Sequence, residues 1–270
     1  MQGTDYSQGD AFFAEKRTIF SRSWLPVGVE AQVPKPGDFL ALAVGGWSVI
    51  VVRDEESMVR VLRNACRHQN MPVVSTPSGT CENFRCRFHG WTYDLDGRFV
   101  SAPPPVAPAD PTSADLNLQS LDVAMEAGIL FFNLESEDAS PQVGPLPAYG
   151  GTIATEIACN WKVVAEHLLG EQREGSPDFT WHWPLLAVRR AGKQAIVEQI
   201  VPHTFLRTRL FTHVFGAPAD DYKPAASTIK HVCEWLQADR AAGKMADENA
   251  FVADFHRRLG EAYAQAAANS

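Results

Sequence analysis

The sequence lacks several features that mark large classes of proteins. Its formal net charge is −8, so it has no general excess of positive charge for binding nucleic acid or an anionic membrane. Its longest apolar runs, such as WSVIVV at 47–52, are strand-sized and much shorter than a membrane-spanning helix. The amino terminus has no basic segment followed by an apolar one, as a signal peptide would. We therefore expect a cytoplasmic protein that binds neither nucleic acid nor membranes.

Cysteine and nucleotide-binding motifs are also scarce. The chain has five cysteines in 270 residues, an odd number whose spacing is not that of a secreted disulfide scaffold. No G-x-G-x-x-G segment opens a helix, and no plant-type C-x4-C-x2-C run is present. Modules for NADH, flavin or a plant-type ferredoxin cluster are therefore expected in other proteins, which would supply any electrons used here.

The apolar residues that are present, 45% of the chain, are sufficient for a sizeable core. From residue 27 to about 103 they form short runs separated by turns, which predicts an antiparallel meander. Another strand is predicted at 128–134, before a Pro- and Gly-rich linker at 141–151. A helix then precedes predicted strands at 184–190, 194–201 and 205–215, and two amphipathic helices close the chain. The predicted fold class is α+β, a curved antiparallel sheet with helices on one side.

Two short motifs give the clearest chemical signal. Cys66-Arg67-His68 is followed, after seventeen residues, by Cys86-Arg87-Phe88-His89, and each motif offers one thiolate and one imidazole. A classical zinc finger groups its cysteines in one pair and its histidines in another. Mixed pairs favour a two-iron centre, in which two thiolates hold one iron and two imidazoles hold the other. A structural zinc site, or four residues without any metal, are the alternatives that the motifs leave open.

The residues around these motifs resemble a known family. The stretches CRHQNMP (66–72) and CRFHGWTYDLDG (86–97) are similar to the two cluster loops of the Rieske non-heme iron oxygenases, which are ring hydroxylases and N- or O-demethylases. The stretch NWKVVAEHLLG (160–170) resembles the opening of the family's catalytic domain. The likeness covers nearly the whole chain and is most specific over residues 60–100.

This resemblance implies a cofactor and a domain organisation. Cys66 and Cys86 would bind one iron of a Rieske [2Fe–2S] cluster, and His68 and His89 would bind the other. Three parts are implied: an N-terminal helix over 1–24 that packs on the C-terminal domain, an all-β Rieske [2Fe–2S] domain over 25–140, and a degenerate catalytic domain with a helix-grip-like antiparallel sheet over 141–270. The other cysteines match no ligand position and are expected to pack in the core; they are Cys81, Cys159 and Cys233.

The second metal site of the family is where this sequence departs from the pattern. Members that oxidise substrates hold a mononuclear iron with two histidines and one carboxylate. The family's order is an acid, two residues, a histidine, four residues and a second histidine. In this sequence those positions are Glu171, Glu174 and Phe179, or, one residue earlier, Gly170, Arg173 and Asp178. Neither set contains a histidine, so the mononuclear Fe(II) site is expected to be lost.

Several residues offer weaker possibilities for a metal. His167, Glu171 and Glu174 recur at i, i+4 and i+7 on one predicted helical face. Asp247 lies about where the family's third ligand is expected, although it would equally serve as the N-cap of the following helix. A second candidate group is the strand histidines His182, His203 and His213. The simpler interpretation of all of them is ordinary core or surface polar residues.

Glu171 has a separate implied role. In the family, the acid at this position connects the catalytic site with the Rieske cluster of a neighbouring subunit. A carboxylate there accepts a hydrogen bond from a cluster histidine and couples electron transfer to proton transfer. The alternative is a solvated or salt-bridged glutamate.

Together these observations predict a subunit with a working cluster and no catalytic iron of its own. In this hypothesis the chain is part of a hetero-oligomer, a trimer-based ring, with an iron-bearing Rieske oxygenase subunit. A ferredoxin or flavin reductase supplies electrons, which the cluster passes to the partner's iron. Two other hypotheses stay open: a self-sufficient terminal monooxygenase or demethylase with unusual iron ligands, and a non-catalytic redox-sensing or interaction protein.

Overall fold

The computed structural model describes residues 2–171, 178–246 and 249–268. The chain divides into two compact units. Val27–Leu134 form the first, which we call the β unit. Met1–Pro26 and Glu135–Ser270 together form the second, which we call the helix–sheet unit. The predicted α+β class is confirmed.

The β unit is built from two antiparallel sheets. The large sheet has the order β1-β10-β9-β4-β3-β2-β5. Its strands are β1 (Leu25–Val29), β2 (Asp38–Val44), β3 (Trp47–Arg53), β4 (Val59–Arg63), β5 (Ser78–Thr80), β9 (Ser120–Glu126) and β10 (Ile129–Asn133). The small sheet consists of β6 (Phe84–Arg85), β7 (Thr92–Tyr93) and β8 (Phe99–Ser101). The predicted meander corresponds to β2, β3 and β4, which pair in sequence.

The core of the β unit connects the large sheet with the cluster loops. Ile50 and Leu62 of the large sheet pack in one buried group with Trp91 and Tyr93 from the small-sheet region. Alternate side chains of a strand point to opposite faces, so each strand contributes every second residue to such a core. Cys66 belongs to the same group, and the cluster loops are therefore anchored on packed apolar residues.

The helix–sheet unit has one five-stranded antiparallel sheet, in the order β11-β15-β14-β13-β12. Its strands are β11 (Tyr149–Ile157), β12 (Phe179–His182), β13 (Leu186–Ala191), β14 (Gln194–Thr204) and β15 (Arg207–Phe215). Its helices are α1 (Gly3–Ser7), α2 (Gly9–Glu15), α3 (Trp161–Gly170), α4 (Lys223–Ala241) and α5 (Ala250–Ala268). In the part of the chain that the structure describes, no helix is both long enough and apolar enough to span a membrane.

Two elements differ from the sequence-based expectation. The predicted N-terminal helix is two short helices followed by a π-helical turn, Lys16–Phe20. The stretch 141–151, predicted to be a linker, already contains the start of β11 at Tyr149. A Cβ atom on Gly150 would lie 1.8 Å from the carbonyl oxygen of Ala217. Glycine is therefore required at position 150 because the backbone of the segment after β15 approaches it closely.

Helix α3 is far more buried than its sequence indicates. Eight of its ten residues are buried, and these include the charged residues Lys162 and Glu166. The Lys162 ammonium lies 2.5 Å from Glu15 of α2. Glu166 accepts hydrogen bonds from the Tyr6 hydroxyl and from Arg240 Nε, at 2.6 Å for the arginine. Buried ion pairs therefore tie the N-terminal helices to α3 and α4.

Candidate metal centre

The two cysteine–histidine loops have the same backbone conformation. The N–H groups of Cys66 and Cys86 each donate to the carbonyl five residues later, at 2.8 Å in both loops. Their carbonyls accept from the N–H four residues later, at 2.7 and 2.9 Å. The residue four positions after each cysteine has a left-handed backbone, with φ of 56° at Asn70 and 73° at Gly90. Asparagine and glycine tolerate this conformation. The sequence thus forms two matching loops.

The two cysteine side chains meet in the interior. Cys66 and Cys86 are each 1% exposed, and their thiols contact each other. Burial raises the pKa of the Cys66 thiol, although hydrogen bonds from Tyr93 and from the backbone N–H of His68 oppose that rise. Two adjacent buried thiolates repel each other, so a cation between them is needed to keep both deprotonated.

The two histidine side chains meet beside the cysteines. The ring centroids of His68 and His89 are 4.6 Å apart, and the rings are perpendicular. His68 also stacks on Trp91, with centroids 5.2 Å apart and an interplanar angle of 12°. The Nδ1 atom of His68 is buried without a hydrogen-bond partner among the described residues. A buried nitrogen lone pair without a partner is costly, and it is the atom expected of a metal ligand.

These residues fit a cluster that takes two protein ligands on each iron. The thiols form one pair and the imidazoles form another. Within residues 2–171, 178–246 and 249–268, no three His, Cys, Asp or Glu side chains converge on one ion position. A tetrahedral zinc site needs its ligands around a single ion, so the paired arrangement fits two irons better than one zinc.

Tyr93 is a functional candidate that the sequence did not single out. Its hydroxyl lies 3.2 Å from the Cys66 sulfur and accepts the backbone N–H of Arg67 at 3.0 Å. Because that N–H occupies a lone pair of the oxygen, the hydroxyl proton is available to the sulfur. Burial raises the pKa of Tyr93, so the hydroxyl keeps its proton at neutral pH.

Replacing Tyr93 with phenylalanine is expected to lower the reduction potential of the cluster. The hydroxyl stabilises negative charge on the Cys66 sulfur, and the reduced cluster carries one more negative charge than the oxidised one. A difference of about 1–2 kcal/mol between the two states corresponds to roughly 40–80 mV. The potential is measured by protein-film voltammetry or EPR-monitored titration.

The matched control is Tyr149→Phe, which removes a hydroxyl that forms a hydrogen bond with Thr152 in the helix–sheet unit. An unchanged potential in Tyr93→Phe would contradict the assigned hydrogen bond.

The second set of candidates lies at the end of helix α3. The helix ends at Gly170, and Glu171 is its C-cap. The Nε2 atom of His167 lies 3.6 Å from Glu171 Oε1, and these two residues are therefore neighbours. Glu174 and Asp247 lie outside the described residues.

Arginine and glutamate residues missed by the sequence analysis complete this site. Arg189 Nη1 lies 3.6 Å from Glu171 Oε2, and its Nη2 lies 2.6 Å from Glu198 Oε2. The Glu198 side chain is only 2% exposed. Burial raises the pKa of Glu198, and the adjacent Arg189 opposes that rise. Both carboxylates are thus already paired with a cation that the protein itself provides, and this arrangement does not fit a mononuclear iron.

The strand histidines do not form a metal site. His213 is buried, with Nδ1 at 2.7 Å from Thr152 Oγ1 and Nε2 at 3.0 Å from Gln199 Oε1. Burial lowers the pKa of His213 to about 3, so the ring is a neutral core residue. His203 is exposed near the end of β14, and burial lowers the pKa of His182. The suggestion that these three converge is wrong for the described residues.

Two smaller expectations have clear outcomes. The N-cap of α5 is Asn249, whose Oδ1 accepts the N–H of Val252 at 2.9 Å, so Asp247 is not needed for that role. Cys159 and Cys233 are completely buried in the helix–sheet unit, and Cys81 is partly buried in the β unit. All three are free thiols.

An aromatic cavity lies in the helix–sheet unit beside β12. It has a volume of about 650 Å³ and is open to solvent on one side. Its lining includes four aromatic residues, Phe179, Trp181, Trp183 and Phe251, and two charged residues, Asp254 and Arg258. Its walls combine aromatic rings with a few polar groups, as is usual for small-molecule sites.

Comparison with known proteins identifies the cluster domain. The family model for the Rieske [2Fe–2S] domain matches residues 23–121. This chain contains a Rieske [2Fe–2S] domain. The predicted cofactor is thereby confirmed, whereas the assignment of its individual ligands stays a prediction.

Relatives of the Rieske chain confirm the resemblance to the oxygenase family. This chain is 30% identical over 191 residues to biphenyl dioxygenase subunit alpha of Paraburkholderia xenovorans (strain LB400). The match covers 62% of this chain and 42% of that relative. It is 44% identical over 92 residues to the N,N-dimethyl phenylurea N-demethylase subunit alpha of Sphingobium sp. (strain YBL2), covering 34% of this chain and 20% of that relative. The matched part is thus less than half the length of these relatives.

Solved structures share the fold of the Rieske chain. The apo form of the quaternary ammonium Rieske monooxygenase CntA has a TM-score of 0.73 at 21% identity, with 99% of this chain and 94% of that chain covered. Naphthalene 1,2-dioxygenase from Rhodococcus sp. has a TM-score of 0.62 at 17% identity, with 97% and 83% covered. The two-part α+β architecture is therefore that of the Rieske oxygenases.

Proposed function

We propose that this chain is the Rieske [2Fe–2S] subunit of a multicomponent oxygenase. In this proposal it transfers electrons from a reductase to the mononuclear iron of a partner subunit and holds no such iron itself. The observation that carries the proposal is a contrast between two sites. Paired thiols and paired imidazoles fit a cluster, whereas the carboxylates Glu171 and Glu198 are paired with Arg189.

The proposed ligands divide the cluster site into two ends. Cys66 and Cys86 would hold one iron at the buried end, and His68 and His89 would hold the other. When bound, a cluster with two neutral imidazole ligands accepts one electron at a higher potential than a cluster with four thiolates. The cysteines are 1% exposed and the histidines are only half-buried. The histidine end is therefore where electrons and protons can be exchanged with another protein.

Partner proteins are an essential part of the proposal. The sequence contains no nucleotide or flavin motif, so an external ferredoxin or flavin reductase supplies the electrons. Several relatives are alpha subunits, and inter-subunit electron transfer is described for a quaternary ammonium Rieske monooxygenase of similar fold. We assign this chain to a hetero-oligomer, a trimer-based ring with an iron-bearing oxygenase subunit. Glu171, whose side chain is 51% exposed, is the residue assigned to the contact with a neighbouring subunit's cluster.

The aromatic cavity favours one alternative function. A terminal oxygenase needs a substrate cavity, and the space beside β12 has the size and the aromatic walls that such a cavity requires. In that alternative the chain would bind a mononuclear iron through unusual ligands and oxidise a substrate without a partner. Metal content separates the two functions.

The experiment is metal and sulfide analysis of anaerobically purified protein, combined with EPR of the reduced sample. The proposal predicts about two irons and two acid-labile sulfides per chain. It also predicts reversible reduction, and no substrate oxidation until an iron-bearing oxygenase subunit is added. A third iron that chelators remove without bleaching the cluster would overturn the proposal in favour of the terminal oxygenase. Reversible reduction without stimulation of any co-purifying oxygenase subunit would instead indicate a redox sensor.

A further inference from the structure

The group formed by Arg189, Glu171, Glu198 and His167 is not used by the cluster and lies in the helix–sheet unit. We call it the Arg189 group. Arg189 is on β13, Glu198 is on β14, and Glu171 caps the end of α3. The guanidinium contacts one carboxylate through each of its two terminal nitrogens. His167 lies on the other side of Glu171.

Strand register places Arg189 between the two acids. Ala187 of β13 is directly opposite Glu198 of β14, and Arg189 is two residues further along β13. Residues two apart on a strand share a face, so Arg189 and Glu198 are diagonal neighbours on the same side of the sheet. The arginine side chain reaches along this face to the Glu198 carboxylate, with Nη2 at 2.6 Å from Oε2. The salt bridge is therefore determined by the pairing of β13 with β14.

The charges of the Arg189 group are those of a metal site in which an arginine takes the place of the ion. Two carboxylates and one imidazole are the kind of ligands that hold a divalent ion in non-heme iron sites. Burial lowers the pKa of His167, so its imidazole is neutral, as a metal ligand would be. A guanidinium is a cation whose planar N–H donors match the geometry of carboxylates.

We infer that Arg189 is a built-in cation that takes the place of a metal ion between Glu171 and Glu198 and closes this position to divalent cations. The inference rests on the proposed function, because it explains how a subunit without a mononuclear iron keeps the Glu198 carboxylate buried. A bound metal can be lost, whereas a guanidinium is present in every folded chain. The domain consequently keeps its shape without iron loading.

The experiment replaces Arg189 with methionine in the full-length, cluster-containing protein. Glu198 then remains buried without a partner, so the melting temperature of the helix–sheet unit is expected to fall by roughly 5–10 °C. We expect Mn²⁺ to bind the variant at least about tenfold more tightly than the wild type in calorimetric and EPR titrations. Saturating Mn²⁺ is expected to restore most of the lost melting temperature. The wild type should show neither effect.

The matched control is Arg190→Met. Arg190 is the next residue on β13 and donates to the carbonyl of Val143, and its side chain points to the opposite face of the sheet. This variant should gain no Mn²⁺ affinity. A second variant, Arg189→Met with Glu198→Gln, should lose the affinity gained by the single change, because one carboxylate ligand is removed.

The outcomes separate this inference from the proposed function. If the wild type holds two irons but Arg189→Met gains no Mn²⁺ affinity, the inference is wrong and the proposed function stands. If the wild type contains a third iron, both are wrong. If Arg189→Met folds only when refolded with Mn²⁺, the inference is supported. If it folds in neither condition, Arg189 is needed for folding for another reason, and the inference is wrong.

Discussion

Cys66→Ala is expected to eliminate the [2Fe–2S] cluster. Iron and acid-labile sulfide should fall from about two of each per chain to nearly zero, with loss of the visible absorption and of the EPR signal of the reduced protein. The physical reason is the pairing of ligands: with Cys66 removed, the iron at the buried end has only the Cys86 thiolate as a protein ligand.

The control for this prediction is Cys81→Ala. Cys81 is a free cysteine in the same unit, and it is not an assigned ligand, so this variant should keep about two irons and an unchanged spectrum. The measurement also separates cluster from zinc, because a zinc site would contain one zinc and no sulfide in the wild type. A Cys66→Ala protein with a complete Rieske spectrum would remove Cys66 from the ligand set.

Among the substitutions considered in the helix–sheet unit, Lys162→Met is expected to destabilise the protein most. Both Lys162 and Glu15 are 0% exposed, and their charged atoms are 2.5 Å apart. The variant leaves the Glu15 carboxylate buried without its cation, although it still accepts hydrogen bonds from Trp161 Nε1 and from the Tyr263 hydroxyl. Removing one partner of a buried ion pair costs about 3–5 kcal/mol. The melting temperature should fall by roughly 10 °C.

Two further variants test whether an unpaired charge is the cause. Glu15→Gln combined with Lys162→Met removes both charges and should recover a large part of the lost stability. Lys230→Met breaks an exposed pair with Glu234, at 3.9 Å and with the lysine 40% exposed, so it should change stability by less than about 0.5 kcal/mol. Thermal unfolding is followed by tryptophan fluorescence, to which Trp161 contributes. Equal losses in Lys162→Met and Lys230→Met would contradict this account.

The sequence was most informative where the chemistry is local. Each cysteine–histidine pair spans at most four residues, so one tight loop is enough to hold both ligands, and the spacing could be recognised without any knowledge of the fold. The β2–β3–β4 meander was predicted for the same reason, because turns and alternating apolar residues act over a few positions. The prediction that Glu174 and Phe179 stand where the family has histidines also came from the sequence alone.

Contacts between distant parts of the chain could not be predicted in this way. Lys162 and Glu15 are 147 residues apart, and nothing in either segment indicates that α2 packs on α3. The register of β13 and β14 decides that Arg189 meets Glu198, and a shift of one residue would turn the arginine to the opposite face. Tyr93 follows Cys86 by seven residues, yet its hydroxyl reaches the sulfur of Cys66 in the other loop.

The sequence by itself was enough to recognise a Rieske [2Fe–2S] domain and to predict the loss of the usual histidines of a mononuclear iron site. It could do so because metal ligands are recognised by residue type and short spacing. Only the tertiary structure showed that Arg189 is paired with two acids, Glu171 and Glu198. That pairing depends on strand register and on the burial of Glu198, which arise when the apolar core brings the end of α3 against the sheet.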